Sequence, residues 1–327
     1  MCDRIVLFAK QPGKTSFSSL FTIKHAFNTQ KVGHTGTLDS FASGLLVVCC
    51  GALTRLAGRI TEFDKTYEAV LCFGTETDTL EYTGSVVRKA PLPQEEKLIQ
   101  AVERFTGEIM QKPPLFSAIH VNGKRASDLA RSGVEAEIPA RKVNVYSSEI
   151  LEIQKNSENL VEYARIRFTV SKGTYIRSLA RDIGVFCGSA SHLTGLLRTK
   201  VGAFELKNAA GYSYLPEFNI QNAILISKGQ LIEGDHEQEL QEIVRNNSEK
   251  MSPQLADYCG FASIILKKQS EKWFYNGGKL ASSMFNISPF SIQNEFAAVF
   301  TEENEFAGLL QKDKNGYFKY SFVVHKN

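Results

Sequence analysis

Two periods of apolar and polar positions divide most of residues 1–210 into strands and helices. Runs that are apolar throughout, or at every second position, predict strands, because successive side chains of a strand point to opposite faces. Apolar positions three and four apart predict helices. The predicted strands span residues 4–9, 44–50, 66–73, 118–121, 143–153 and 160–170. The predicted helices span residues 16–27, 94–105, 124–131 and 174–186.

The order of these elements indicates the fold class. The polar residues 154–159 separate two long strands and predict a hairpin. Elsewhere strands and helices follow each other irregularly, which differs from the repeated βαβ units of a parallel sheet. We therefore expect an α+β fold built on a mostly antiparallel mixed sheet.

The pattern changes after residue 210. The next segment is less regular and has one acidic helical stretch at 237–243, which is typical of a linker or a partly helical bridge. Short apolar runs separated by Asn-Gly turns then predict strands of a small β-rich domain, large enough to fold independently. These runs span 262–266, 296–300 and 316–324. The large domain, the bridge and the small domain are predicted at residues 1–210, 211–253 and 254–327.

Length and composition limit the classes of protein to which the chain can belong. Its 327 residues, of which 43% are hydrophobic, are enough for more than one packed domain. No apolar run reaches the length of a membrane helix, and the apolar stretch before Lys10 is too short for a signal peptide. We therefore expect a cytoplasmic protein with no membrane partner. The six cysteines form no C-x-x-C pair, so we expect reduced, structural thiols.

Charge is distributed unevenly along the chain. Residues 1–210 hold 27 Lys and Arg against 21 Asp and Glu, a net charge of +6. Residues 211–327 hold 11 against 14, a net charge of −3. The modest basic excess of the first part is compatible with a domain that faces RNA.

The most informative stretch of the chain is residues 33–39, which read G-H-T-G-T-L-D. It presents a single carboxylate, Asp39, between glycines and an apolar run. Gly33, Gly36 and Gly44 can adopt positive φ and let another chain segment or a ligand approach closely. Taken alone, a loop aspartate is usually a turn residue that binds nearby backbone N–H groups. Other motifs decide between a turn residue and a catalytic acid.

Further motifs follow along the chain in a consistent order. They are K-Q-P-G-K-T-S at 10–16, K-T-Y at 65–67, S-K-G-T-Y-I-R at 171–177 and L-L-R-T at 196–199. With G-H-T-G-T-L-D-x-x-A-x-G-L-L from residue 33, this set resembles the motifs of the TruB family of tRNA pseudouridine-55 synthases over residues 5–206. Three positions depart from the family pattern: Gln11 and Ser40 stand where it has proline, and Leu197 where it has arginine.

The resemblance implies a pseudouridine-synthase fold followed by a PUA-like, RNA-binding domain in the C-terminal β-rich part. It implies an enzyme that isomerises uridine 55 in the T loop of tRNA to pseudouridine, after the base is flipped out of the RNA. That reaction uses no cofactor and no metal. The expected partner is therefore tRNA, through its T stem-loop, and we expect the chain to be a monomer.

The same resemblance assigns roles to five residues. Asp39 is the catalytic acid, acting as nucleophile or as base, and Arg177 pairs with it and holds it ionised. Tyr67 stacks on the target uracil, Leu196 contacts that base, and His34 inserts where the base had stacked. Basic residues near the motifs are candidates for phosphate contacts, although each taken singly is typical of a solvated surface. They are Lys31, Lys65, Lys172, Arg181 and Arg198.

Three other functions are weighed against this one. A P-loop nucleotidase is suggested by G-K-T at 13–15, but Phe8 occupies the position of the first P-loop glycine. A guide-RNA-dependent relative inside a ribonucleoprotein would share the aspartate motif and the C-terminal domain. A non-catalytic RNA-binding or tRNA-folding protein would not need Asp39, Tyr67 and Arg177 together.

Overall fold

The apolar runs of the chain form two sheets with helices packed around them. The computed structural model describes residues 3–117, 120–121, 124–125, 138–231 and 236–324. The strands are β1 (Ile5–Lys10), β2 (Val32–His34), β3 (Ser43–Cys50), β4 (Lys65–Phe73), β5 (Thr75–Thr77), β6 (Val86–Lys89), β7 (Gly107–Gln111), β8 (His120–Val121), β9 (Lys124–Arg125), β10 (Arg141–Lys155), β11 (Val161–Val170), β12 (Ser191–Val201), β13 (Phe204–Glu205), β14 (Ala262–Leu266), β15 (Phe296–Thr301), β16 (Phe306–Lys312) and β17 (Phe318–Val323).

The helices lie between and over these strands. They are α1 (Leu20–Phe27), α2 (Ala57–Thr61), α3 (Glu95–Arg104), α4 (Ile176–Phe186), α5 (Ile220–Ser227), α6 (Glu237–Asn247), α7 (Pro253–Tyr258) and α8 (Glu271–Tyr275). In α4, apolar side chains three and four residues apart face the core, at Ile176, Leu179, Ala180 and Ile183. This spacing is the helical period that the sequence shows.

Nine strands of the described residues form the large sheet. Its main path runs β1-β3-β12-β4-β11-β10-β7, with β2 added beside β3 and β13 beside β12. The contact between β12 and β3 is parallel, and the other pairs in this sheet are antiparallel. The predicted α+β class with a mostly antiparallel mixed sheet is therefore confirmed.

Helices cover both faces of this sheet. On one face α3 and α4 pack on β4, β10 and β11, where Leu98 and Leu179 are fully buried beside Ile166. On the other face α5 covers Val70 of β4 with Ile220 and Ala223. Because β4 and β12 are covered on both sides, side chains on them are held rigidly by packing.

The C-terminal part is β-rich, as predicted. Its sheet has the order β14-β15-β16-β17. One side of that sheet packs against the large sheet, where Phe296 and Phe300 share a buried cluster with Ile5 and Leu45. The two sheets therefore rest on a common apolar layer, and the exact domain limits at 210 and 253 stay a prediction.

Two predicted elements differ in the structure. The helix expected from residue 16 begins at Leu20, because Ser16 turns inward and bonds the backbone of Leu38. Of the helix expected at 124–131, Lys124–Arg125 form a strand instead, since they pair with His120–Val121 in a hairpin. The remaining residues of that helix, and 118–119 of the strand before it, lie outside the described residues.

The bridge is more structured than the sequence indicates. It contains α5, which packs on the large sheet, and α6, which packs on α1. The described helices include none long and apolar enough to cross a membrane. The five cysteines from Cys49 onward are free thiols.

Candidate active site

Asp39 lies in the loop between β2 and β3. A buried lysine holds the part of that loop that follows Asp39. Lys10, at the end of β1, is 0% exposed. Its Nζ donates hydrogen bonds to the carbonyls of Ser40 at 3.2 Å and Ala42 at 2.5 Å. Burying an ammonium is costly unless it is hydrogen-bonded, so these carbonyls are fixed around the cation. The backbone from Ser40 to Ala42 is thereby held in position.

The part of the loop that precedes Asp39 is held by a serine and a buried arginine. The Oγ of Ser16 donates to the carbonyl of Leu38 at 2.9 Å and accepts from its N–H at 2.8 Å. Arg198 of β12 donates to the carbonyl of Gly36 at 3.1 Å. Gly44 has φ of +110°, and any side chain there would collide with the backbone of Arg198. The glycine is therefore required where β12 pairs with the first residues of β3.

The carboxylate of Asp39 faces the guanidinium of Arg177. Arg177 Nη2 donates to Asp39 Oδ1 at 3.1 Å. Arg177 Nε lies 2.9 Å from Oδ2, an ion-pair contact whose angle does not suit a hydrogen bond. The arginine is 5% exposed and also donates to the carbonyls of Thr79 at 3.0 Å and Phe116 at 2.9 Å. These acceptors fix the plane of the guanidinium, and hence the direction in which Asp39 points.

A cavity opens beside this pair. Its volume is about 360 Å³, within the range of small-molecule sites. The carboxylate and guanidinium lie at one part of its wall, and most of the rest is aromatic or aliphatic. The lining residues are Thr37, Leu38, Asp39, Tyr67, Phe116, Ser117, Thr174, Tyr175, Ile176, Arg177 and Leu196.

Comparison with known proteins identifies the family. The profile described as TruB family pseudouridylate synthase (N terminal domain) matches residues 24–176. A Treponema denticola protein named tRNA pseudouridine synthase B is 40% identical over 98% of the chain and 98% of its own length. The chain belongs to the TruB family. A Borrelia garinii protein of the same name is 47% identical over 64% of the chain and 73% of its own length.

Solved structures share the fold of this TruB-family chain. A chain in "Structure of H/ACA RNP bound to a substrate RNA containing 2'-deoxyuridine" has a TM-score of 0.64 over 99% of this chain and 85% of its own. A chain in "Crystal Structure of a Cbf5-Nop10-Gar1 Complex" has a TM-score of 0.62 over 99% of this chain and 84% of its own. Their sequence identities, 22% and 24%, carry the fold alone.

The structure places three more predicted site residues of this TruB-family chain. Tyr67 in β4 and Leu196 in β12 both line the cavity that contains Asp39. His34 is half-buried in β2, does not line that cavity, and accepts a hydrogen bond from the Gly36 N–H at 3.4 Å on Nδ1. Burial, with the charge of Arg198, lowers the pKa of His34. Its ring is therefore held in the neutral form, which suits stacking on a base better than pairing with a phosphate.

The five cations predicted to contact phosphate fall into two groups. Lys31 and Lys172 are exposed and Arg181 is half-buried, with Lys172 paired to Glu62 and Arg181 to Asp182. By contrast, Lys65 and Arg198 are 8% and 2% exposed, and both donate to backbone carbonyls. These two cations support the protein backbone and are not presented to an RNA surface.

Lys65 leads to a prediction about the pH dependence of stability. Burial, with the charge of Arg198, lowers the pKa of Lys65 to about 8. Its pKa in an unfolded chain is about 10.4, so between these values the unfolded chain binds more protons and folding becomes more favourable as the pH rises. We expect urea titrations at pH 7.5 and 10 to show a gain of about 1–3 kcal/mol relative to Lys65→Met. Parallel pH profiles for the two proteins would contradict this.

Sequence reasoning did not single out two groups beside the cavity. Tyr175 lines it, with the guanidinium of Arg141 5.0 Å from the centre of its ring. The buried side chain of Gln111 holds the backbone of Tyr175 by accepting from its N–H at 2.8 Å and donating to its carbonyl at 3.1 Å. The S-K-G-T-Y-I-R motif contains this tyrosine, so the signal was present. Nothing in the sequence marks Gln111.

The second group is the carboxyl of Glu81. It is 9% exposed, and Oε1 accepts a hydrogen bond from the hydroxyl of Thr83 at 2.7 Å. Its Oε2 is buried with no hydrogen-bond partner among the described residues. Burial, and then the nearby charge of Asp39, raise the pKa of Glu81, against the effects of Thr83 and Arg177. Elsewhere among the described side chains, no three His, Cys, Asp or Glu come together as metal ligands would.

Proposed function

We propose that this chain converts uridine 55 in the T loop of tRNA to pseudouridine, with no guide RNA and no cofactor. The observation that supports this most is the pairing of Asp39 with Arg177 at a cavity of about 360 Å³ lined by Tyr67 and Leu196. A cavity of this size takes one nucleotide that has been flipped out of a stack. The names of the relatives, tRNA pseudouridine synthase B, support tRNA as the substrate.

In this reaction the bond from uracil N1 to ribose C1′ breaks and a bond from C5 to C1′ forms. C5 loses its proton and N1 gains one, so the product is an isomer of the substrate. Asp39 acts as an ionised carboxylate, either by attacking C1′ or by removing a proton from the ribose. The charge of Arg177, held by the carbonyls of Thr79 and Phe116, stabilises that ionised form.

The walls of the cavity suit a base that detaches and turns. The ring of Tyr67 gives a flat surface for the uracil, and its hydroxyl is a candidate to accept the C5 proton. Leu196 gives an apolar contact. The Oγ of Ser117 is buried, lines the cavity and has no hydrogen-bond partner among the described residues. This hydroxyl is therefore suited to bond a polar edge of the uracil.

Other parts of the protein would hold the rest of the tRNA. His34 fills the gap that the flipped base leaves, and Lys31, Lys172 and Arg181 contact phosphates. The C-terminal sheet acts as a PUA-like, RNA-binding domain, and Lys312, Lys314 and Lys319 line a groove on it. The relative that matches 98% of the chain is named as a tRNA enzyme, which favours independent action over a guide-RNA complex.

The test uses the purified chain and a T-arm hairpin carrying tritium at uridine C5. We expect tritium release in a single turnover without any added guide RNA. A hairpin with cytidine in place of uridine 55, and tritiated uridines elsewhere, should release none. Binding of the hairpin without tritium release would contradict the proposed activity. Release from the second hairpin would contradict uridine 55 as the position that is modified.

A further inference from the structure

The chain segment that leads to the Asp39 loop contains no acid of its own, although Glu237 of α6 accepts a hydrogen bond from Thr22 of α1. Between Asp3 and Asp39 the sequence contains Arg4, Lys10, Lys14, Lys24 and Lys31, with no Asp or Glu. Lys10 is buried, whereas Lys14 and Lys31 are exposed and Lys24 is half-buried. A surface segment of this composition attracts a polyanion, because nearby carboxylates of the same segment do not repel it.

Two phenylalanines of this segment are exposed to solvent, Phe17 in the turn before α1 and Phe21 in the first turn of that helix. Phe17 is 62% exposed and Phe21 is 46% exposed. Their rings meet edge to face, with centroids 5.8 Å apart and an interplanar angle of 84°. The core side of α1 is formed by other residues, Leu20 and Ile23. Packing of the folded chain therefore does not account for two large apolar rings at this position.

A cation completes the group. Lys24 Nζ lies 5.2 Å from the centre of the Phe17 ring and 5.3 Å from that of Phe21. Both distances are within the range of a cation–π contact. Proteins bind unpaired nucleotides by stacking the base on an aromatic ring, while a nearby positive charge holds the phosphate.

Phe17 lies close in the fold to the loop that carries Asp39. Ser16 and Leu38 are joined by two hydrogen bonds, of 2.9 and 2.8 Å. Phe17 follows Ser16 in the chain, and Asp39 follows Leu38. Phe17 is therefore next in the chain to a residue that is hydrogen-bonded to the loop carrying Asp39.

We infer that Phe17, Phe21 and Lys24 form a stacking platform for an unpaired base of the substrate RNA, outside the cavity that takes the target uridine. Lys24 holds the phosphate of the nucleotide that stacks there. The inference rests on the proposed function. RNA is favoured over a protein partner, because residues 4–38 contain five Lys and Arg and no acid, and Phe17 is next in the chain to a residue bonded to the Asp39 loop.

The test is the dependence of single-turnover tritium release on protein concentration. For Phe17→Ala and Phe21→Ala we expect the concentration at half-maximal rate to rise about ten-fold each, with the maximal rate within about two-fold of wild type. Phe17→Tyr keeps an aromatic ring, so its half-maximal concentration should match that of wild type. Lys24→Gln should lower the slope of log affinity against log salt concentration by about one.

Phe186→Ala is the matched control. Phe186 is also an exposed helical phenylalanine, at 43%, and packs edge to face on Phe105 with centroids 6.2 Å apart. It lies at the far end of α4 from the cavity. This variant reports any general effect of removing an exposed ring, and we expect wild-type kinetics for it.

Three outcomes would overturn the platform. These are unchanged half-maximal concentrations, a loss confined to the maximal rate, or a change of oligomeric state in Phe17→Ala with unchanged RNA affinity, which would indicate a protein contact. Fluorescence anisotropy of a labelled hairpin, measured alongside, separates this inference from the proposed function. If the wild type released no tritium, the activity would be wrong, while the affinities of the variants would still test the platform.

Discussion

Replacing Asp39 with asparagine is expected to reduce tritium release from the T-arm hairpin by about 10³-fold or more. Asparagine keeps the size of the side chain and an oxygen that accepts from Arg177 Nη2, which lies 3.1 Å from Oδ1. It removes the negative charge that Asp39 needs to act either as nucleophile or as base. Because the shape of the cavity is kept, the affinity for the hairpin should stay within about three-fold of wild type. Single-turnover rates and anisotropy titrations measure the two quantities separately.

Asp182→Asn is the control for this variant. Asp182 also pairs with an arginine, Arg181, at 2.8 Å, but it does not line the cavity. We expect its maximal rate to match wild type. A rate of Asp39→Asn within ten-fold of wild type, with the fold intact by circular dichroism, would remove Asp39 from the chemistry.

The sequence predicts the residues at the centre of the candidate site better than those that hold them. Asp39 and Arg177 are 138 positions apart, and only the resemblance of their two motifs implies that they pair. The structure places the two side chains together and adds the carbonyls of Thr79 and Phe116. Backbone carbonyls leave no signature in a sequence, because every residue has one. The acceptors that orient Arg177 could therefore be found only from the fold.

The central strand β12 shows why the pattern of apolar and polar residues does not predict every strand. It runs from Ser191 to Val201 through the middle of the large sheet, and the sequence predicts no strand there. Its buried residues include polar ones, at Ser191, His192, Thr194 and Arg198. A buried strand is expected to be apolar, so these side chains hide its period. They are buried because loops and carbonyls, and not only apolar side chains, pack against this strand.

Buried cations are a second feature that the sequence does not predict. Lysine and arginine are almost always exposed, so a sequence predicts Lys65 and Arg198 on the surface. Both are buried here, as is Lys10, and each donates to backbone carbonyls near a motif. Their charges hold loop backbone to the neighbouring ends of β3 and α2. The candidate site is therefore rigid because of polar contacts that no periodicity reveals.

Arg177→Lys is expected to reduce the maximal rate by about 10²-fold or more while the protein still folds. A lysine has the same charge but presents it as a point, whereas Arg177 reaches Asp39 and two carbonyls at once through a planar group. Lysine cannot contact all three, so Asp39 loses its fixed direction. A buried acceptor is then left unpaired, which should lower the free energy of unfolding by about 1–3 kcal/mol. Single-turnover rates and urea titrations measure both changes.

Arg167→Lys provides the comparison, because Arg167 also contacts one carboxylate through two nitrogens of its guanidinium. Its Nε and Nη2 both donate to Oε1 of Glu68, at 3.3 and 3.0 Å. Glu68 lies on β4, and neither residue lines the cavity. Its rate should stay within about two-fold of wild type. If both lysine variants lost activity equally, the effect would be one of general packing. If neither did, the charge of Arg177 alone would be enough, and the planar pairing with Asp39 would not be what orients the carboxylate.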